Sequence, residues 1–439
     1  MNTGRALILL LIVSGAVGLA VNGAAFYAHL LYLGLLLVVV SWISVRVVAR
    51  GLRLTRRADF YRAGVGDIFK EQFEVFNGSR LPGGWVELHN EMQLPMASGS
   101  RLLTRLRPRE KQTFVTRTWL TRRGGFPVGP TRLVVADALG LFSSQRRFLP
   151  ERKLVVLPLV YQVRGFVQPP GFLPGGKVIN RKSVDITPHA SGVRPYVPGD
   201  PMRRIHWPTT ARRGQLNVKE FEQDPQAEVW LFLDAQERVQ AQGPYEAPEV
   251  HLESLLFTRK PRLTLPPSTL EYAVSIAASL AHYFISEKRA VGLVARDRAY
   301  ANIRAERSER QETKILETLA FVEGKGDQSI SALVSAHAPL LPKGTSVVLI
   351  TPTTSRDLLM VTDDLVRRRL RPIVVLMVAE TFGGRSGTEQ LAMSLKTQGV
   401  PLRLIECGAD LADALSGFMV TNFAQDVVRW QRPTLSHLT

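Results

Sequence analysis

The sequence predicts a multidomain protein: an N-terminal transmembrane helical hairpin, a small β-sandwich, and a carboxyl-terminal α/β domain built on a doubly wound parallel sheet. Three patterns predict it. Residues Ala6 to Val21 and Ala24 to Val45 are two apolar runs free of Asp, Glu, Lys and Arg. From about residue 63 to 150 hydrophobicity alternates with a period of two, and from residue 227 onward apolar runs alternate with helical patterns. A chain of 439 residues is long enough for two or three such domains, each with its own core.

A helix needs roughly 20 apolar residues to cross the hydrocarbon core of a bilayer. The second run has that length and the first is close to it. Polar backbone groups in lipid must be satisfied within the segment, so the pair reads as a helical hairpin turning at Asn22-Gly23. Arg5 precedes the pair, and Arg46, Arg50, Arg53, Arg56, Arg57 and Arg62 follow it. The positive-inside rule therefore places both ends in the cytoplasm, where residues 1–62 would touch anionic lipid headgroups. A cleaved leader ending near Ala20 is the alternative for the first run; the second would then stop transfer ahead of its arginines and leave the topology unchanged.

Residues 51–153 carry the sandwich signals. Phe69 to Phe76 alternates, Asn77-Gly78-Ser79 turns the chain, and Trp85 to His89, Thr113 to Trp119 and Thr131 to Val135 follow. Short alternating strands separated by turn residues at intervals of about ten residues are the pattern of a small sandwich. Residues 154–191 read as a connector: a short strand at Leu154 to Pro158 runs into the turn-rich Gln168 to Gly176.

The last domain, residues 192–439, holds the α/β alternation. Ala227 to Asp234 is an apolar run closed by a carboxylate, the pattern of a buried parallel strand with a polar residue at its carboxyl end. Helices are expected at Leu270 to Lys288, Glu309 to Val322, Ser355 to Arg369, Thr388 to Thr397 and Ala409 to about Trp430. Strands are expected at Ala290 to Ala295, Ser346 to Ile350, Ile373 to Val378 and Leu402 to Ile405. Parallel strands need crossover connections, which these helices supply.

The net charge of +18 implies an acidic partner, whether lipid, protein face or nucleic acid. Much of it sits beside the apolar runs, and no nucleic-acid motif accompanies it, which argues against nucleic acid. One cysteine, Cys407, excludes an intrachain disulfide and a multi-cysteine metal site. No P-loop is present, and no nucleophile, base and orienting group stand out as a set; Ser191, Asp200 and His206 lie in one stretch without evidence of mutual reach.

The densest stretch runs from Gly192 to Asp224. Val197-Pro198-Gly199-Asp200-Pro201 is a turn, flanked by Tyr196 and Trp207, and Arg194, Arg203, Arg204, Arg212, Arg213 and Lys219 face only Asp200, Glu220, Glu222 and Asp224. It resembles the signature of the domain-of-unknown-function 58 family. That signature is Gly-x-Arg-x-Tyr-x-Pro-Gly-Asp, then Arg-x-Ile-(Asp/His)-Trp, then Ala-Arg-x-Gly-x-Leu-x-Val-(Lys/Arg)-Glu-Phe-Glu. Pro195 stands where an acidic residue is usual. Arg122-Arg123-Gly124-Gly125-Phe126 and Asp137-Ala138-Leu139-Gly140-Leu141-Phe142 resemble the same family, with Ala138 in place of proline.

The resemblance implies a von Willebrand factor A-like carboxyl-terminal domain and a multi-pass bacterial inner-membrane protein with cytoplasmic soluble domains. It also implies a non-enzymatic adaptor or scaffold partnered with a MoxR-type AAA ATPase, and a transglutaminase-like membrane protein as a further associate. On that expectation Arg194, Asp200, Arg203, Arg204, His206, Arg212, Arg213, Lys219 and Glu220 form the binding surface. Tyr196, Pro198, Gly199, Trp207, Gly214 and Phe221 form its structural frame, with the three aromatics buried. Related domains hold Mg²⁺ through Asp-x-Ser-x-Ser after the first strand together with a later threonine and aspartate. Here the run is Asp234-Ala235-Gln236-Glu237-Arg238, so Asp234 alone matches, with Thr351, Thr353 and Thr354 after a later strand. No cofactor is expected, Mg²⁺ at Asp234 being the one candidate. The competing functions are a metal-dependent ligand-binding domain and, third, an uncharacterised hydrolase.

Overall fold

A computed structural model describes residues 3–95, 97, 99–149, 152–166, 190–197, 202, 205–221, 228–245 and 264–417. The chain divides into two units. One comprises Met1–Val160, Gly243–Pro267 and Thr313–Glu323; the other comprises Tyr161–Gln242, Ser268–Glu312 and Gly324–Thr439.

The first unit begins with α1 (Thr3–Asn22) and α2 (Ala25–Gly51), two helices long and apolar enough to cross a membrane. They pack through small residues: a Cβ on Gly15 would lie 2.8 Å from the Leu31 backbone nitrogen, and one on Gly34 would lie 2.6 Å from Ile12. Close approach through glycine is the usual source of helix association where lipid removes the hydrophobic drive. Gly23, with φ of 62°, makes the reversal between them.

Ten strands follow: β1 (Leu52–Ala58), β2 (Arg62–Gly64), β3 (Ile68–Asn77), β4 (Gly83–Asn90), β5 (Arg101–Leu106), β6 (Lys111–Trp119), β7 (Gly124–Pro127), β8 (Thr131–Ala136), β9 (Ser143–Phe148) and β10 (Lys153–Leu157). They form sheets ordered β1-β3-β6, β5-β4-β8-β9 and β2-β10-β7. Phe73, Val75 and Phe114 from the first sheet meet Val86, Leu88, Leu103, Leu133 and Val135 from the second in one core. Val48, Ala49 and Leu52 enter that core too, so the end of α2 is continuous with the sandwich. The alternation legible in β3, β4 and β8 is the inward face of these sheets.

Two expectations change here. Arg56, expected to flank the membrane, lies on β1 with its guanidinium inside the unit. Its Nε donates to Glu71 Oε1 at 2.7 Å, its Nη1 donates to Thr131 Oγ1 at 3.1 Å, and it lies 4.8 Å from the Phe73 ring centre. Burial pushes the Glu71 carboxyl up and the Arg56 contact opposes that rise. Residues 154–157, expected to begin the connector, belong instead to β10, which pairs with β2 and β7 of this unit. Of the two polar residues noted in this region, Asp137 accepts from the Leu139 and Phe142 amides, a turn role. Arg123 donates to the carbonyls of Leu319 and Val322 in the same unit.

The second unit contains β11 (Ala190–Pro195), α3 (Trp207–Arg213), β12 (Asn217–Phe221), β13 (Val229–Leu233), α4 (Thr269–Ser286), β14 (Val291–Arg296), β15 (Tyr300–Glu306) and the start of α5 (Glu309–Ala320). It continues with α6 (Ile330–His337), β16 (Ser346–Thr351), α7 (Asp357–Arg367), β17 (Arg371–Met377), α8 (Thr388–Thr397), β18 (Leu402–Ile405) and α9 (Leu411–Leu415). The main sheet runs β15-β14-β13-β16-β17-β18. All neighbouring pairs are parallel except β14 with β15. The expected parallel sheet thus gains one antiparallel edge. β15 is exposed on alternate residues and is joined to β14 by a tight hairpin, so a charged strand can occupy the edge. Residues of β13 and β16 are buried throughout, which is why they appear as unbroken apolar runs. Of the helix expected from Ala409 to Trp430, Leu411–Leu415 is helical, and residues 418–439 lie outside the described residues.

Candidate functional site

The arginine-rich segment folds as the antiparallel pair β11–β12 with α3 between them. Arg194 pairs in register with Val218, Val193 with Lys219 and Gly192 with Glu220. Of the expected site residues, Pro198, Gly199, Asp200, Arg203 and Arg204 lie outside the described residues, as do the side chains of Arg194, Lys219, Glu220 and Phe221. His206 bonds through Nδ1 to Thr209 Oγ1 at 2.7 Å, and its amide donates to the Asn217 carbonyl at 2.8 Å. Gly214 ends α3 with φ of 66°, its amide donating to the Thr210 carbonyl, a left-handed cap that glycine adopts without steric cost. Arg212 and Arg213 are exposed in the last turn, where cations meet the negative pole of the helix.

One expectation is corrected. Trp207 does not anchor a core: it is 65% exposed. It opens a seven-residue helix with no buried residue, so that helix offers no packed face to bury it. Tyr196 is half-buried, its amide bonded to the Leu216 carbonyl. The segment is held instead by Ile205 and Val218, both buried and bridged, and by the buried Asn217, whose backbone amide donates to the Thr210 hydroxyl oxygen at 3.0 Å. Ile205 and Val218 are aliphatic positions of the signature stretch, and the antiparallel register makes them neighbours.

The second cluster sits where β13 and β16 end side by side. β13 has β14 on one side and β16 on the other, so the direction of strand addition reverses there, and such switch points open a crevice at the carboxyl ends of the strands. Asp234 follows β13 and Thr351 closes β16. Thr351 Oγ1 donates to Asp234 Oδ2 at 2.5 Å, and the Gln236 amide donates to Asp234 Oδ1 at 3.1 Å. The Thr353 amide donates in turn to Thr351 Oγ1 at 3.0 Å. Asp234 is 1% exposed, and burial pushes its carboxyl up to about 6 against the two hydrogen bonds that hold it down. The partners of Asp234 are thus a hydroxyl and a backbone amide, and Arg238 is exposed.

Both oxygens of Asp234 already accept hydrogen bonds, so a divalent ion bound there would compete with the Thr351 hydroxyl and the Gln236 amide. Ser355, expected to open the following helix, lies just before it and accepts at 3.3 Å from the amide of Asp357, the first residue of α7, with Arg356 at the N-cap.

Comparison with known proteins bears on the arginine-rich segment. Residues 192–246 match the model of the family described as protein of unknown function DUF58. An uncharacterised protein of Bacillus subtilis (strain 168), YeaD, is 33% identical over 116 residues, covering 26% of this chain and 28% of that protein. Among solved structures, the CARDB domain of a Pyrococcus furiosus protein in complex with di-metal ions aligns at TM-score 0.18 with 13% identity, covering 24% of this chain and 91% of that one. An exo-β-N-acetylglucosaminidase from Vibrio harveyi aligns at TM-score 0.16 with 10% identity, covering 79% and 59%. Scores this low assign neither fold nor chemistry.

Proposed function

We propose, from the DUF58 segment at residues 192–246, that the protein is a membrane-anchored adaptor whose α3 surface docks a protein partner. The observation that carries the proposal is the exposed Trp207 with Arg212 and Arg213 exposed on the same short helix and Met202 and Leu216 exposed nearby. Tryptophan and arginine dominate the energetics of protein interfaces, because each offers a large contact area together with a directional polar group. The partner surface this composition fits is acidic with an apolar recess, in keeping with a net charge of +18. Following the family resemblance, the partner is a MoxR-type AAA ATPase, with a transglutaminase-like membrane protein as a further associate, and the adaptor itself is non-enzymatic. The doubly wound strand order supports a von Willebrand factor A-like reading of the second unit. The arginines on either side of α1 and α2 favour a cytoplasmic location for everything after residue 51.

One observation favours a second reading. Asp234 and Thr351 meet at the switch point, where a metal-dependent ligand-binding domain would place its ion.

The test is affinity capture with the full chain in mild detergent and ATP, with captured proteins identified by mass spectrometry. Wild type, Trp207→Ala, an Arg212→Ala/Arg213→Ala double variant and Asp234→Ala are compared. Capture of an AAA ATPase by wild type and Asp234→Ala, lost in the α3 variants, is the expected result. Capture that survives the α3 variants, or no AAA ATPase at all, overturns the adaptor reading; loss in Asp234→Ala alone favours the metal reading.

A further inference from the structure

The carboxyl end of α2 and strand β9 border an open pocket of about 630 Å³, lined among others by Trp42, Arg46, Arg50, Ser143, Ser144 and Arg146. Arg46 and Arg50 are four residues apart on α2 and so project from one face of the helix, an arrangement that like charges disfavour. Among the described residues neither they nor Arg146 pair with a carboxylate, and no Asp or Glu lines the pocket. The neighbouring cleft is a useful contrast: there Glu91 already bridges Arg132 and Arg147. Three arginines lining one pocket without an acid create a site that an anion would neutralise.

The end of a helix is ordinarily the wrong place for an anion, because its free carbonyls carry partial negative charge. Here Arg146 Nη1 donates to the Leu52 carbonyl at 3.0 Å and to the Arg50 carbonyl at 3.4 Å, covering that pole. Arg46 lies 5.0 Å from the centre of the Trp42 ring, which is itself half exposed. Trp42 and Ile43, both exposed, lie in the chain between the exposed apolar residues Leu35, Leu36, Val39 and Val40 and the first arginine, Arg46. Indole rings in that position mark the headgroup level of a bilayer. Arg5 of α1 donates to the Gly140 carbonyl at 3.2 Å, which brings the other helix end to the same level.

From this geometry we infer that the pocket binds the phosphodiester headgroup of an anionic phospholipid, with the acyl chains lying along the apolar surface of α2. The inference rests on the membrane-anchored part of the reading above. Arg46 and Arg50 contact the phosphate, Ser143 and Ser144 supply hydroxyl donors, and Arg146 closes the inner wall. A volume of about 630 Å³ suits a headgroup with its glycerol and is far larger than a lone phosphate requires.

The test uses the full chain. Alkaline carbonate extraction of membranes comes first: release into the supernatant overturns the anchored reading and this inference with it. The retained protein is then reconstituted into nanodiscs of phosphatidylcholine, alone or mixed with phosphatidylglycerol, and bound lipid is counted by native mass spectrometry. Wild type is expected to retain phosphatidylglycerol selectively. Arg46→Gln/Arg50→Gln, two exposed positions of which Arg46 stacks on Trp42, is expected to weaken retention about five-fold per arginine removed. Arg146→Gln is a third probe, and Arg53→Gln/Arg57→Gln, exposed on β1 outside the pocket, is the control expected to retain lipid as wild type does. No preference in wild type, or equal loss in the control, overturns the pocket while leaving membrane anchoring intact. Displacement of the lipid by excess glycerol 3-phosphate would reassign the site to a soluble phosphate ester and likewise overturn the lipid assignment.

Discussion

Asp234 offers a measurement that turns burial into a number. Its carboxyl is raised from 3.8 to about 6, chiefly by desolvation, with the Thr351 hydroxyl and the Gln236 amide opposing. A rise of that size corresponds to roughly 3 kcal/mol favouring the neutral form in the folded state. The folded state therefore holds a proton that the opened state releases. The stabilisation is complete below pH 3.8 and is lost as pH rises to about 6. Asp234→Asn cannot ionise and keeps one acceptor oxygen. At neutral pH it removes the penalty of a buried charge and sacrifices about one hydrogen bond at Thr351, worth roughly 1 kcal/mol. Hydrogen exchange by mass spectrometry on peptides covering β13 and β16, corrected for intrinsic rates, reads the local opening free energy between about pH 4 and pH 7. Wild type should lose most of the 3 kcal/mol across that range, roughly, and the Asn variant should be flat and no less stable than wild type at neutral pH. A wild-type opening free energy that is level or rises with pH would refute the reasoning. It would mean that something holds the carboxylate below its ordinary range, as a bound divalent cation does, and repetition in EDTA would identify it.

Two further outcomes follow from the packing. Arg56→Ala leaves Glu71, whose side chain is 1% exposed, without its cation, and the loss should be about 3–5 kcal/mol of sandwich stability, read as faster exchange in β3; adding Glu71→Gln should recover much of it, and if it does not, the ion pair is not the cause. Gly214→Ala meets no atom within 4 Å but forces a side chain into φ of 66°, so it should cost about 1 kcal/mol and raise tryptic cleavage at Arg212 and Arg213 about five-fold, with Gly214→Asn milder; equal cleavage in all three would show that α3 does not depend on this cap.

The local patterns came through the sequence because each is written by a neighbouring layer. Long, nearly uninterrupted apolar runs produced α1 and α2, alternation produced β3, β4, β6 and β8, and full burial on both faces produced β13 and β16. Periodicity reports that a face is covered and says nothing of what covers it. Choosing the partner belongs to register and crossover geometry, and these decided the rest. Register put Arg56 beside Glu71, 15 residues on, where composition alone suggested a membrane flank. Strand order brought Thr351 to Asp234 across 117 residues. The brevity of α3 left Trp207 in solvent, although its flanking motif suggested an anchor. The meeting of α2 with β9, about a hundred residues away, converted a scatter of arginines into a pocket. Long-range contacts of this kind are specified by the whole chain at once, because each depends on the layers that every other segment has already chosen.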